Sequence, residues 1–450
     1  MSKFIVVDHA QALLLPPDLR EWVPEDDLVN FVIEAARRVP VTKFKVNVRG
    51  TGSAQHHPHT LLALLVYCYT QGVFGSRRIE RATYRDVAVR YLTADTHPDH
   101  DTICKFRREN EAALAEALLQ VLLLAKELKL LKVGTVSVDG SKIDANASKH
   151  RNVRYDRAQA LRQQLQHEID DLLKQADKAD QREREDGSRL PEELARREKL
   201  KAQMDAATAR LEAEAKAQAA REREAHAAKE AARERRSGRR KGPKIKPLSE
   251  LPEPDAQTSL TDPDSRLMRK NQHSEYRQAY NAQLAVDADG SQLILGARVS
   301  RCASDRHELL ADVEAIPTHV GTPACVLADN GFATGEEVVA LQARGIDVLV
   351  AVGRPGRRQH DLRPEPARQK PPPEMRQPWM LEMRDRLSEE ANRRRYRLRQ
   401  QTVEPVLGII KSVLGFRQFL LRGVDKVRTE WTLVALAYNV KRLHRLQLAT

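Results

Sequence analysis

Three carboxylates in this 450-residue sequence stand where phosphoryl chemistry would need acids. Asp139 follows Val133-Gly-Thr-Val-Ser-Val138, a run of β-branched residues in near alternation that suits a buried strand. Asp329 follows a second such run, Ala324-Cys-Val-Leu-Ala328. Glu404 lies in a basic helical stretch with Arg393, Arg394, Arg395, Arg397, Arg399 and Lys411. Acids delivered by separate elements can hold a pair of Mg²⁺ ions, which stabilise the attacking and leaving oxygens of an in-line phosphoryl displacement. Magnesium prefers oxygen donors and keeps some of its waters, so few carboxylates suffice. The plain alternative is that Asp139-Gly140 is a turn.

The elements that must position these acids divide the chain. Residues 11–40 hold a helix starting near Pro24-Glu-Asp-Asp27, with acids at the positive end of its dipole. A helix over about 60–71 is apolar nearly all round and belongs in the centre of an N-terminal bundle. His56, His57 and His59 before it read as a helix start rather than a metal cluster. Short basic segments follow, Ser76-Arg-Arg-Ile-Glu-Arg81 and Tyr84 to Leu92. One helix is expected over 103–131, with Lys105, Arg107 and Arg108 in its first turns. Basic first turns suit phosphate contact or a helix-turn-helix-like DNA module, or else a solvated charged face.

Beyond the first strand, Leu161, Leu165, Ile169, Leu172, Ala176 and Ala179 step by threes and fours, and Leu194, Leu200, Met204, Ala207 and Leu211 do the same. This predicts an antiparallel coiled-coil hairpin with its turn near 185–191. The run Arg235 to Lys246 is a basic linker suited to DNA backbone. From about 260 the pattern is mixed α/β: a hairpin over 280–286 and 292–299, a helix over 306–315, the Asp329 strand, a helix over 336–344 and a strand over 347–352. A loop spans 353–378. One long helix over 382–414 and a C-terminal helix over 429–446 complete the chain.

The bulk numbers agree with a polyanionic partner. The net charge is +13 and the pI near 9.6, a basic excess that favours nucleic acid. The length suggests two to four domains. Cys68, Cys104, Cys302 and Cys325 have no C-x-x-C spacing, so a zinc ribbon or redox dithiol is not supported. Neither a signal-peptide profile nor an apolar stretch of membrane-spanning length is present. The expected location is cytoplasmic, nucleoid-associated when DNA-bound, with no membrane partner.

The sequence resembles the DDE transposases of bacterial insertion sequences, whose catalytic core is RNase H-like. The resemblance lies in Leu15-Pro-Pro-Asp-Leu19, Gly75-Ser-Arg-Arg-Ile-Glu80, Pro98-Asp-His-Asp-Thr-Ile-Cys-Lys-Phe-Arg107, Val138-Asp-Gly-Ser-Lys-Ile-Asp-Ala-Asn-Ala-Ser148, Thr261-Asp-Pro-Asp-Ser-Arg266, Ala279 to Gln283, Ala328-Asp-Asn-Gly-Phe332 and Thr402-Val-Glu-Pro-Val-Leu-Gly-Ile-Ile-Lys411. It implies Asp139, Asp329 and Glu404 as the catalytic, metal-binding acids. Tyr396, Arg399 and Lys411 are implied as the residues that flank the Glu. Four residues separate Arg399 from Glu404, where the usual family spacing is three. One residue rotates a helix position by about 100°, which leaves the role of Arg399 less defined than that of Lys411. Asp262 and Asp264 stand in family-like text and are second-tier candidates.

The resemblance implies a fold of mixed α/β class: an RNase H-like core with an N-terminal helical domain and an inserted helical (coiled-coil) hairpin. The expected divisions are 1–130, an N-terminal helical DNA-binding domain; 131–154, the first part of the core; 155–250, the hairpin and basic linker; and 251–450, the remainder of the core with C-terminal helices. The expected function is a DNA transposase that binds element ends, cleaves phosphodiesters and transfers the 3′-hydroxyl end to target DNA. Its cofactor would be two Mg²⁺, with Mn²⁺ able to substitute. Its partners would be double-stranded DNA (terminal repeats and target) and further copies of the chain, as a homodimer or higher oligomer. Arg77 and Arg78 join the expected DNA-phosphate contacts. The alternatives are an RNase H-like nuclease without strand transfer, or a catalytically inactive DNA-binding derivative.

Overall fold

The computed structural model describes residues 18–47, 54–180, 190–237, 249–269, 273–332, 334–352 and 377–449. Leu15-Pro-Pro17, the hairpin tip at 185–189, the basic run at 238–246 and the stretch 353–376 lie outside these residues.

The chain opens with helices α1 (Leu28–Arg37), α2 (Pro58–Thr70), α3 (Ser76–Arg85), α4 (Val87–Leu92), α5 (His100–Glu109) and α6 (Glu111–Glu127). Asp27 caps α1 by accepting from the Val29 amide at 2.8 Å, and Asp99 caps α5 by accepting from Thr102 at 2.7 Å. All residues of α2 from Leu61 to Thr70 are buried, as a helix apolar on every side must be. The single helix expected over 103–131 is instead two. Asn110 breaks it because its side-chain oxygen accepts from the distant Lys45 amide at 2.8 Å.

Strand β1 (Thr135–Asp144) is followed by β2 (Asn152–Arg154), α7 (Tyr155–Asp180), α8 (Leu190–Ser237), β3 (Gln257–Ser259), β4 (Arg266–Met268), β5 (Arg277–Asp287) and β6 (Ile294–Ser300). Then come α9 (Leu309–Glu314), β7 (Cys325–Ala328), α10 (Gly335–Ala343), β8 (Asp347–Val350), α11 (Pro378–Ser388), α12 (Glu390–Gly408) and α13 (Val424–Leu448). The main sheet runs β4-β5-β1-β7-β8, with β6 also paired to β5. β1 is antiparallel to β5 and parallel to β7, and β7 is parallel to β8.

Two local expectations change. β1 does not stop at Asp139, because β5 pairs with it as far as Asp144; Asp139-Gly140 is mid-strand, not a turn. The long helix over 382–414 is divided at Glu389, whose backbone is extended, and ends in a π-turn at Ile409–Val413.

α7 and α8 run antiparallel: Tyr155 bonds Glu212 at 2.8 Å, Arg162 pairs with Asp205 at 2.8 Å and Arg197 with Glu168 at 3.2 Å. Leu165, Ile169, Met204, Ala207 and Leu211 are buried along the seam, whereas Leu200 is 44% exposed and does not join it. The pair has its own small core. One large apolar cluster, by contrast, runs from α1 and α2 through the sheet to α13. α13 packs on α1, α2, α6 and β6 and so joins the helical region to the sheet. At that joint the buried Arg107 guanidinium donates to Tyr69 Oη at 2.8 Å and faces Glu430 at 3.6 Å. Among the described residues, no helix is long and apolar enough to cross a membrane.

Candidate active site

Asp139 sits in the centre of β1 opposite Leu284 of β5. Its half-buried carboxyl is pushed up to about 6 by desolvation, a rise that the nearby charges of Asp329 and Asp305 reinforce and the Arg399 guanidinium opposes. Asp329 follows the end of β7, the strand parallel to β1, so the two acids come from adjacent strands. Its carboxylate accepts from the Gly331 amide. Glu404 lies on α12, which crosses β1, β5, β7 and β8.

Arg399 joins the strand acid to the helix acid. Its guanidinium donates to Asp139 Oδ2 at 3.3 Å and to Glu404 Oε1 at 2.8 Å. The additional residue between Arg399 and Glu404 therefore does not turn the arginine away from the acids. Its long side chain is only 12% exposed and spans the offset. Tyr396, one turn earlier, donates to the Ala328 carbonyl at 3.2 Å and so ties α12 to the residue before Asp329. Lys411 lies in the π-turn after α12 and its ammonium donates to the Ser141 hydroxyl. Asp139 and Ser141 are two apart on β1 and share a face. That face thus meets Arg399 and Lys411 in succession.

Gly140 points to the other face and leaves a gap. A Cβ there would lie 2.5 Å from the Gln283 amide and 2.6 Å from Asp305 Oδ1, contacts no real side chain tolerates. Asp305, in the loop after β6, accepts from Asn281 at 2.7 Å and Gln283 at 2.9 Å, and Lys142 approaches it at 3.4 Å. A Cβ on Gly331 would stand 3.5 Å from Asp329 and 3.6 Å from Asp305. Asp305 therefore fills the space that a side chain at position 140 would need and stands near Gly331, and sequence reasoning missed it. The available signal was Asn281 and Gln283, two amides at alternate positions in the middle of β5, which require a polar partner on one face.

The second-tier acids serve the scaffold. Asp262 is fully buried, accepting from Tyr280 Oη at 2.9 Å and the Gly423 amide at 3.1 Å. Asp264 accepts from the Val424 amide at 3.0 Å at the start of α13. Asp144 faces away from Asp139 and pairs with Arg277 at 3.1 Å. Arg77 and Arg78 are exposed on α3.

Among the described residues, no three Asp, Glu, His or Cys side chains form a group that could hold a metal ion as they stand. The Arg399 guanidinium is bound to both Asp139 and Glu404. The donor chemistry nonetheless suits a hard divalent cation, since Asp139, Asp329 and Glu404 offer carboxylate oxygen. On the Gly140 face, the buried Gln283 side-chain carbonyl oxygen has no hydrogen-bond partner.

Residues 254–440 match the family described as "Transposase DDE domain" and residues 17–109 match "Transposase domain (DUF772)". The first segment holds Asp305, Asp329, Tyr396, Arg399, Glu404 and Lys411, the second holds Arg77 and Arg78, and Asp139 lies between them. No curated protein and no solved structure matches the chain.

Proposed function

The chain belongs to the DDE transposases of insertion sequences, and from that premise we propose that Asp139, Asp329 and Glu404 are its catalytic acids. The observation that carries this is the contact of one side chain, Arg399, with acids 260 residues and five residues distant. The strand order β6-β5-β1-β7-β8, with three antiparallel and two further parallel strands, supports an RNase H-like core.

The substrate is DNA, as the family implies. At an element end, water attacks the phosphodiester and its P–O3′ bond breaks, freeing a 3′-hydroxyl. That hydroxyl then attacks a target phosphodiester, forming a new P–O bond as the target's own 3′-oxygen leaves. Asp139, Asp329 and Glu404 would hold Mg²⁺, or Mn²⁺ in its place. Bound there, two such ions would stabilise the attacking and leaving oxygens. Arg399 has to release Glu404 and Asp139 for those carboxylates to serve as ligands, and its guanidinium is then free for a DNA phosphate. Lys411 can turn from Ser141 to the same backbone. Tyr396 holds α12 against β7 so that Glu404 stays in register with Asp329. Gln283, Asn281 and Lys142 hold Asp305 in place behind β1. The exposed Arg77 and Arg78 contact DNA away from the acids. Two element ends must meet, so a homodimer or higher oligomer is proposed, with the α7–α8 pair as one candidate contact.

The test is cleavage of a duplex carrying the element end in Mg²⁺, with Asp139→Ala, Asp329→Ala and Glu404→Ala compared against the parent. Each should lose cleavage by several orders of magnitude while duplex binding persists. A variant that still cleaves at the parental rate removes its residue from the site. Joining of the cleaved end to a second duplex separates a transposase from a nuclease that only cuts.

A further inference from the structure

The helix α3 has an unusual surface. Taking 100° per residue, Tyr84, Arg77, Arg81, Arg85 and Arg78 fall within an arc of about 120°, and all five are exposed. The opposite side is buried through Ile79 and Thr83. Among the described residues, none of the four arginines has an ion-pair or hydrogen-bonded side-chain partner. Arginines elsewhere are commonly paired, as Arg162 is with Asp205, Arg197 with Glu168 and Arg298 with Asp312. Four like charges on ten residues repel one another. Glu80, the acid of the helix, is turned away and bonded to His100 at 2.9 Å.

We propose that α3 is the DNA-reading helix of this chain and that its arginine arc enters the major groove of duplex DNA. This rests on the transposase reading above. An α-helix with its side chains is about 10–12 Å across and the major groove is about 12 Å wide, so α3 can lie within it with its arginine arc toward the base edges. Arginine pairs bidentately with guanine in that groove, and Tyr84, 56% exposed, adds an aromatic edge. The helix is held rigid for this task. Tyr84 stacks on His97 with centroids 3.8 Å apart, and α3 packs on both α4 and α5. Lys105 and Arg108 of α5, also exposed and without an ion pair among the described residues, can meet the flanking phosphates. An RNA duplex is excluded as the fitted partner because its major groove is too narrow to admit a helix.

The experiment uses the full chain and two labelled duplexes of equal length, one taken from DNA flanking the reading frame and one of scrambled sequence. Fluorescence anisotropy is followed through a salt titration. For the variant with Ala at 77, 78, 81 and 85, affinity for both duplexes should fall at least 100-fold. The slope of log affinity against log salt should drop by about 3–4. The corresponding four-lysine variant should retain most of the slope yet lose preference for the flanking sequence, which a merely structural role would not produce. Removal of the paired Arg162 and Arg197 should change affinity less than threefold. Circular dichroism melts verify that each variant is folded. Unchanged affinity and slope in the folded alanine variant, or equal parental binding to an RNA duplex of the same sequence, overturns the inference and leaves the transposase reading standing. Failure of the parent to bind either DNA duplex overturns both.

Discussion

The side-chain amide of Gln292 donates to the main-chain carbonyl of Gln401 at 2.9 Å. That carbonyl is the one Pro405 leaves without its helical donor, since proline has no N–H. The residue beside this proline is Glu404. A hairpin loop between β5 and β6 therefore completes the helix turn that presents an acid of the proposed site.

Pro405→Ala should make Gln292 dispensable. With Pro405 in place, Gln292→Ala is expected to cost on the order of 1 kcal/mol; in the Pro405→Ala background it should cost almost nothing. A double-mutant cycle in urea checks the coupling, and additive effects would separate the two residues.

Asp139 gives a pH signature. Its folded value of about 6 lies above the ordinary carboxyl value of 3.8 because burial disfavours the charge. Between these values the folded state keeps a proton that the unfolded chain releases, so stability falls as pH rises through the window. The total is roughly 3 kcal/mol. Asp139→Asn should thus be about 1–3 kcal/mol more stable than the parent at pH 7 in chelator and nearly equal to it below pH 4. Urea melts across that range test this, and a pH-independent difference would contradict it.

The joint between helical region and sheet depends on Arg107 and Glu430. Glu430 also accepts from the Leu420 amide at 2.9 Å and the Leu421 amide at 3.0 Å. Glu430→Ala strands a buried guanidinium and should cost about 3–5 kcal/mol. Replacing both partners with apolar residues should cost less than the sum of the single changes. Equilibrium denaturation of the three variants decides.

Glu214 fastens the α7–α8 pair to the core. It accepts from Arg266 at 2.8 and 2.9 Å and from Arg301 at 2.5 Å. These groups are about one-third exposed, so Glu214→Ala should cost only on the order of 1 kcal/mol globally. Hydrogen exchange should nevertheless rise in β4 and in the part of α8 around Glu214, while β1 and β7 remain protected. Uniform protection would show that the fastening lies elsewhere.

Much of the core was legible in residue pattern. β5 and β6 alternate and are joined by an Asp-Ala-Asp-Gly turn, and β7 and β8 are short apolar runs that must be buried. The helix interruptions were not legible. Nothing in the apolar spacing marks Asn110 as a break, because its conformation is set by the Lys45 amide, 65 residues earlier in the chain. Asp139-Gly140 has turn composition, yet the β5 ladder carries the strand through it. Leu200 fits the α7–α8 spacing and still faces solvent.

The sequence alone determined which residue types are available for the proposed chemistry: two acids following apolar runs, a third in a basic helix, and an overall positive charge. These are properties of composition and period, which do not depend on distant partners. Tertiary structure alone decided what each residue touches. It placed Arg399 on both Asp139 and Glu404, lodged Asp305 behind Gly140, and diverted Asp262 and Asp264 to the scaffold. Such contacts join residues far apart in sequence, and their geometry is set by strand register and helix placement rather than by any local spacing.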